Sequence, residues 1–158
     1  MFLYNEVQKR EANNEQVRVG LIGAGKFGSM FLSQAPFTIG LEVISIVDIN
    51  VENAKKNCRD LGWTKEQIES VLFFDNLKKM VSQTKIDVLV EATGDPVEGT
   101  KHALIAIEEG LDIVMVNVEA DVLSGPYLAK EAEKAGIVYS MAYGDQPALT
   151  TELVEWAR

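Results

Sequence analysis

The stretch from Val17 to Asp48 constrains this chain more than any other. It begins V-R-V-G-L-I-G-A-G-K-F-G, an apolar run that opens into the glycines Gly23, Gly25 and Gly28. Roughly twenty residues later a second apolar run ends in Asp48, the spacing of a dinucleotide fingerprint with its ribose-binding acid. Each glycine has a physical task. Gly23 permits a tight turn out of the strand, Gly25 lets the backbone approach a pyrophosphate with no Cβ between them, and Gly28 lets the next helix pack closely on the sheet. An anion would then rest on the helix N-terminus, where unbonded N–H groups and the helix dipole favour negative charge. A lone G-x-G-x-x-G is weak evidence. Here strand, helix and acid agree, so we expect a dinucleotide site.

Neighbouring side chains extend that site. Lys26 and Phe27 line the turn, Lys26 as a phosphate contact or a solvated charge, Phe27 more by packing than by stacking. The Asp48 carboxylate would repel a 2′-phosphate, and Ile49 and Asn50 follow it rather than an arginine. The cofactor expected is therefore NAD or NADP, with NAD favoured. Ala92, Thr93 and Gly94 leave the fourth strand beside the crevice where doubly wound sheets bind ligands, at the nicotinamide ribose. Asn117 and Glu119 leave the fifth strand on the same rim and are candidates for the nicotinamide side; a helix cap at Glu119 or Asp121 is the competing reading. His102 falls inside a helix and reads as a packing or surface histidine.

The rest of the chain alternates strand and helix. Helices are expected over 3–12, 26–34, 51–61, a short one from Thr64 with Gln67 in the capping-box position, 75–83 with Asp75 as cap, 96–109 and 123–135. Strands are expected over 17–22, 41–47, 71–74, 87–91, 113–118 and 137–140. This is an α/β fold, a doubly wound parallel sheet with strand order 3-2-1-4-5-6. A leading helix over 1–16 precedes the nucleotide-binding domain over 17–147. Residues 148–158 start a helix with Leu149, Leu153 and Trp156 on one face, which we read as leading to a substrate domain.

Composition excludes more than it selects. The 158 residues carry a formal net charge of −9, which argues against binding nucleic acid, since that requires clustered Lys and Arg. No apolar run approaches the ~20 residues that span a bilayer, and the N-terminus is charged rather than signal-like, so the cytoplasm is the expected address. The single Cys58 excludes an internal disulfide and a cysteine-rich metal site.

The segments V-R-V-G-L-I-G-A-G-K-F-G-S-M, V-E-A-T-G-D-P, D-I-V-M-V-N-V-E-A-D and Y-G-D-Q-P-A-L together resemble the nucleotide-binding part of the homoserine-dehydrogenase-like oxidoreductases. The nearest branch in character is the one called predicted homoserine dehydrogenase, with the deoxyxylulose phosphate reductoisomerase-like enzymes. The resemblance covers essentially the whole chain. It implies an NAD(P)-dependent oxidoreductase, with NADPH used by reductoisomerase-like members, and a G-D-Q-P turn at 144–147 that sets Asp145 and Gln146 toward nicotinamide or substrate. True homoserine dehydrogenases carry a catalytic lysine directly after the asparagine of the fifth strand. Here Val118 and Glu119 follow Asn117, which argues against homoserine oxidation.

The expected function is hydride transfer between nicotinamide and a small hydroxylated carbonyl substrate, with or without a phosphate, with Glu119 and Asp145 as candidate catalytic groups. A carboxylate at Glu119 would order a substrate hydroxyl or a metal. This segment alone is expected to bind dinucleotide without turnover. The alternative is a non-catalytic sensor of NAD(H). Apolar positions in the first and last helices lead us to expect a further partner surface, within the protein or in a homo-oligomer.

Overall fold

A computed structural model describes residues 3–144 and 146–158. Six strands, β1 (Val17–Ile22), β2 (Leu41–Val47), β3 (Leu72–Phe74), β4 (Val88–Glu91), β5 (Asp112–Met115) and β6 (Tyr139–Met141), form one sheet in the order β3-β2-β1-β4-β5-β6. Every pairing is parallel. The expected Rossmann-like topology is therefore present. Among the described residues eight α-helices accompany it: α1 (Leu3–Ala12), α2 (Lys26–Gln34), α3 (Val51–Asp60), α4 (Lys65–Ser70), α5 (Leu77–Gln83), α6 (Pro96–Glu109), α7 (Val118–Ala135) and α8 (Gln146–Ala157).

A parallel sheet covered on both faces needs apolar residues on both, and the core divides accordingly. On one face Ile22, Leu89, Ile113 and Met115 pack with Leu77 and Met80 of α5, Ala103 of α6 and Leu128 of α7. On the other, Leu21, Ile46 and Val90 meet Leu32 of α2 and Ala54 and Cys58 of α3. The Cys58 thiol is buried, and burial pushes its pKa up to about 11, so it serves packing rather than chemistry. At the amino end of the sheet, α1 is tied down by Glu11, whose carboxylate accepts from Gly40 N–H at 2.8 Å.

Caps decide most boundaries. Thr64 and Gln67 form the expected capping box, and Gly110 and Gly136 close α6 and α7 in the left-handed region. Several expectations need correction. Asn76, not Asp75, caps α5: its side chain accepts from Lys78 and Lys79 N–H, while the Asp75 carboxylate pairs with Lys79 Nζ at 2.8 Å. Strand β5 stops at Met115 and α7 starts at Val118, because the Asn117 side chain accepts from Ala120 N–H and starts the helix there. That also removes Glu119 and Asp121 as caps. Strand β6 starts at Tyr139 rather than 137, since Ile137 N–H is still bonded back to Ala132. Helix α8 begins at Gln146, so the second half of the expected 144–147 turn is helical. Asp145 and the Gln146 side chain lie outside the described residues.

Candidate functional site

The carboxyl ends of the strands form one continuous hydrogen-bonded rim. The first residue past each of five strands donates its N–H to the last residue of the neighbouring strand: Asp48 to Phe74, Gly23 to Val47, Ala92 to Ile22, Val116 to Glu91 and Ala142 to Met115, all at 2.8–3.0 Å. Every turn that follows is thereby held at a fixed height. This is the edge where open α/β sheets bind ligands.

The glycine turn leaves β1 on this rim. Gly23 has φ +93°, and a Cβ there would lie 3.0 Å from the Ala92 backbone. Gly28 touches the turn from inside α2: a Cβ would lie against the Gly23 carbonyl oxygen, far inside contact distance. Gly25, by contrast, faces open space, with nothing within 4 Å of a built Cβ. It is the N-cap of α2, no side chain caps that end, and the first turn holds no acid. The leading N–H groups of a helix lack intrahelical partners, so this end is suited to an anion. Lys26 and Phe27 are exposed beside it.

Asp48 closes the turn from β2. One carboxylate oxygen accepts from Ala24 N–H at 2.8 Å, and the other from Asn50 N–H at 2.8 Å. Asn57 of α3 donates to the Ala24 carbonyl at 2.9 Å, so the turn is gripped on both its polar groups. Ile49 stands 99% exposed next to the acid.

The β4 turn carries the densest polar arrangement. Glu91 is completely buried, and its Oε1 accepts from Thr93 Oγ1 at 2.5 Å, Thr93 N–H at 3.4 Å and His102 Nδ1 at 3.1 Å. Asp95 caps α6 by accepting from Val97 and Glu98 N–H, with Pro96 in the first turn. Gly94 between them has φ +74°. Asn117 is 2% exposed; besides capping α7, its amide donates to the Asp95 carbonyl at 2.8 Å and to Thr93 Oγ1 at 3.4 Å. Behind it, Tyr139 donates to Asp121 at 2.9 Å, and burial with that carboxylate holds the phenol far above its usual range.

The structure thus brings Gly23, Gly25, Lys26, Phe27, Gly28, Asp48, Ile49, Ala92, Thr93, Gly94 and Asn117 to one rim. Exposed Glu119, expected just past the fifth strand, lies in the first turn of α7. Asn117 is committed to protein groups on both ends of its amide. His102, expected to pack, instead reaches Glu91. Sequence reasoning assigned Glu91 no role. Its one signal was an acid closing an otherwise apolar strand, V-L-V-E. Among the described residues no cluster of three or more His, Cys, Asp or Glu is arranged to hold a metal, and no helix is long and apolar enough to cross a membrane.

Solved structures share this fold at low identity. The WlbA dehydrogenase from Chromobacterium violaceum, in complex with NADH and UDP-GlcNAcA, superposes with TM-score 0.65 at 18% identity, covering 90% of this chain and 39% of that one. The myo-inositol 2-dehydrogenase from Lactobacillus plantarum gives 0.61 at 16% identity, covering 90% and 42%. GenD2 from gentamicin A biosynthesis, in complex with NAD, gives 0.62 at 15% identity, covering 80% and 34%. The chain therefore spans well under half the length of these neighbours. No curated protein sequence matches it. The family model described as homoserine dehydrogenase, NAD binding domain, matches residues 19–141. The chain belongs to the homoserine dehydrogenase NAD-binding domain family.

Proposed function

We propose that this chain is the dinucleotide half of an oxidoreductase that passes hydride between nicotinamide and a small hydroxylated carbonyl compound, with or without a phosphate. The observation that carries the reading is the pairing of an open, uncapped glycine turn at Gly25 with a carboxylate fixed on the same turn, Asp48 on Ala24 N–H. In this reading the pyrophosphate takes the free N–H groups of α2. The adenosine ribose takes Asp48, with exposed Ile49 against the adenine and Lys26 near the phosphates. The nicotinamide ribose meets the Ala92–Gly94 turn.

The cofactor carries the redox chemistry, while the chain binds and orients it. The Asp48 charge favours the free ribose hydroxyl of NAD over the 2′-phosphate of NADP. Glu119, exposed on the rim, orients a substrate hydroxyl, and Asp145 is a second candidate for that task. Asn117 supports the site through the turn it braces.

Titration calorimetry of the chain with NAD and with NADP tests the reading. We expect NAD to bind more tightly, and no dehydrogenase turnover from these 158 residues. Failure of both dinucleotides to bind at millimolar concentration would remove the proposal.

A further inference from the structure

Glu91 is the only fully buried carboxylate among the described residues. Burying such a group is costly unless its oxygens are satisfied, and an apolar residue would continue the V-L-V strand at no such cost. Its Oε2 has no partner, so the side chain is not there to satisfy itself. All of its contacts run through Oε1, and they converge from two directions. Thr93 brings its hydroxyl and its N–H from the turn, and His102 brings Nδ1 from α6.

That arrangement fixes the direction of the Thr93 hydroxyl. With its proton on Glu91, Thr93 Oγ1 is left to accept, and it receives Asn117 Nδ2 and Asp95 N–H, each at 3.4 Å. Carboxylate, threonine and asparagine therefore hold the whole 93–95 turn in one conformation around Gly94, whose φ of +74° gives it freedom other residues lack.

We infer that Glu91 is a positioning residue for the nicotinamide end of the dinucleotide, with His102 fixing its carboxylate from the helix side. The inference rests on the dinucleotide reading of the site proposed above. A turn ordered before the ligand arrives removes an ordering cost from binding. The effect is confined to one end of the ligand, because the glycine turn and Asp48 are held by separate bonds.

NADH and ADP separate the two ends, since ADP lacks both nicotinamide and the ribose that carries it. Affinities of both are measured by calorimetry for the unmodified chain and for Glu91→Ala, Glu91→Gln, Thr93→Val and His102→Phe, with melting curves for each. Glu91→Ala is expected to weaken NADH by about tenfold, the scale of one lost charge-assisted hydrogen bond, while leaving ADP within about twofold. Glu91→Gln keeps an acceptor for Thr93 and stays near the unmodified affinity. Thr93→Val cuts the same bond at an exposed position and gives the Glu91→Ala pattern even if the buried substitution prevents folding. His102→Phe gives that pattern more weakly. Equal losses for both ligands, or unchanged NADH affinity in Thr93→Val, would overturn the assignment while leaving the dinucleotide reading intact. An unmodified chain that binds neither ligand would overturn both.

Discussion

The Asp48 carboxylate accepts a 2.8 Å hydrogen bond from the Ala24 backbone N–H, joining the end of β2 to the glycine turn after β1. Its second oxygen is fixed by Asn50 N–H, so the acid is aligned before any ligand is present. Asp48→Ala strips an acceptor from two backbone donors, and we expect a loss of about 1–2 kcal/mol in stability. NAD affinity should fall at least about tenfold, on the scale of a charge-assisted hydrogen-bond pair. Preference for NAD over NADP should narrow as well, because the charge that repels a 2′-phosphate is gone. Thermal denaturation reads the first effect, and calorimetry with each dinucleotide reads the others. Unchanged NAD affinity would show that Asp48 does not hold the ribose.

Gly25 and Gly28 should behave in opposite ways. A Cβ at Gly28 collides with the Gly23 carbonyl, a backbone atom that cannot rotate aside. Gly28→Ala is therefore expected to cost several kcal/mol, in the range of overpacked cores. Gly25 has φ −72° and an empty surrounding, so Gly25→Ala should fold within about 0.5 kcal/mol of the original. It should nevertheless lose dinucleotide affinity, since its Cβ occupies the pyrophosphate's approach. Denaturant unfolding beside ligand titration separates the two outcomes, and a Gly25→Ala chain that binds normally would argue against a phosphate there.

At the opposite end of the sheet, Asp87 accepts from the Arg18 backbone N–H and from Nε and Nη2 of its guanidinium, clasping β1 to the start of β4. The Arg18 hydrogen bond holds the Asp87 carboxyl below its usual range against the opposing effect of burial. A carboxyl depressed in the fold binds fewer protons folded than unfolded. Its stabilisation is present above the unfolded value of about 3.9 and is lost as pH falls through the folded value. Asp87→Asn should lower the melting temperature by a few degrees near neutral pH, and the gap should close in acid as the pH falls through the depressed folded value. The two side chains are 31% and 40% exposed, so added salt should shrink the effect. Melting curves across pH and salt test each part.

How much of this was legible in the sequence depended on range. The sheet order followed from apolar runs and one fingerprint, and the Thr64–Gln67 capping box is written in four consecutive residues. Asp75 and Asn76 are equally good caps by type. The choice was made by Lys79, which takes the Asp75 carboxylate one turn on. The start of α7 was hidden because V-M-V-N-V reads as β-branched strand and Pro126 suggests a later beginning. Only the contact of Asn117 with Ala120 N–H reveals the cap. The Glu91–His102 bond spans a strand end and the second turn of a helix, so it depends on a helical phase that no local pattern specifies.

Asn117 offers the sharpest separation of capping from bracing. Its Oδ1 caps α7, while its Nδ2 donates across to the Asp95 carbonyl in the space left by Gly99, where a Cβ would crowd the amide. Asn117→Ala removes both and should cost about 1–3 kcal/mol for the cap and one further hydrogen bond, since the Asp95 carbonyl still accepts from Gly99 N–H at 2.8 Å. Asn117→Asp has nearly the same shape and is as good a cap, with a charge that favours a helix N-terminus. A capping role alone therefore predicts a neutral or stabilised protein. Bracing predicts the reverse, because the donor that faced the Asp95 carbonyl and Thr93 Oγ1 becomes an acceptor. We expect Asn117→Asp to be destabilised at neutral pH by at least as much as a lost buried hydrogen bond, about 1–3 kcal/mol. Urea midpoints of the two variants decide between the roles, and an aspartate variant as stable as the original would leave Asn117 as a helix cap and nothing more.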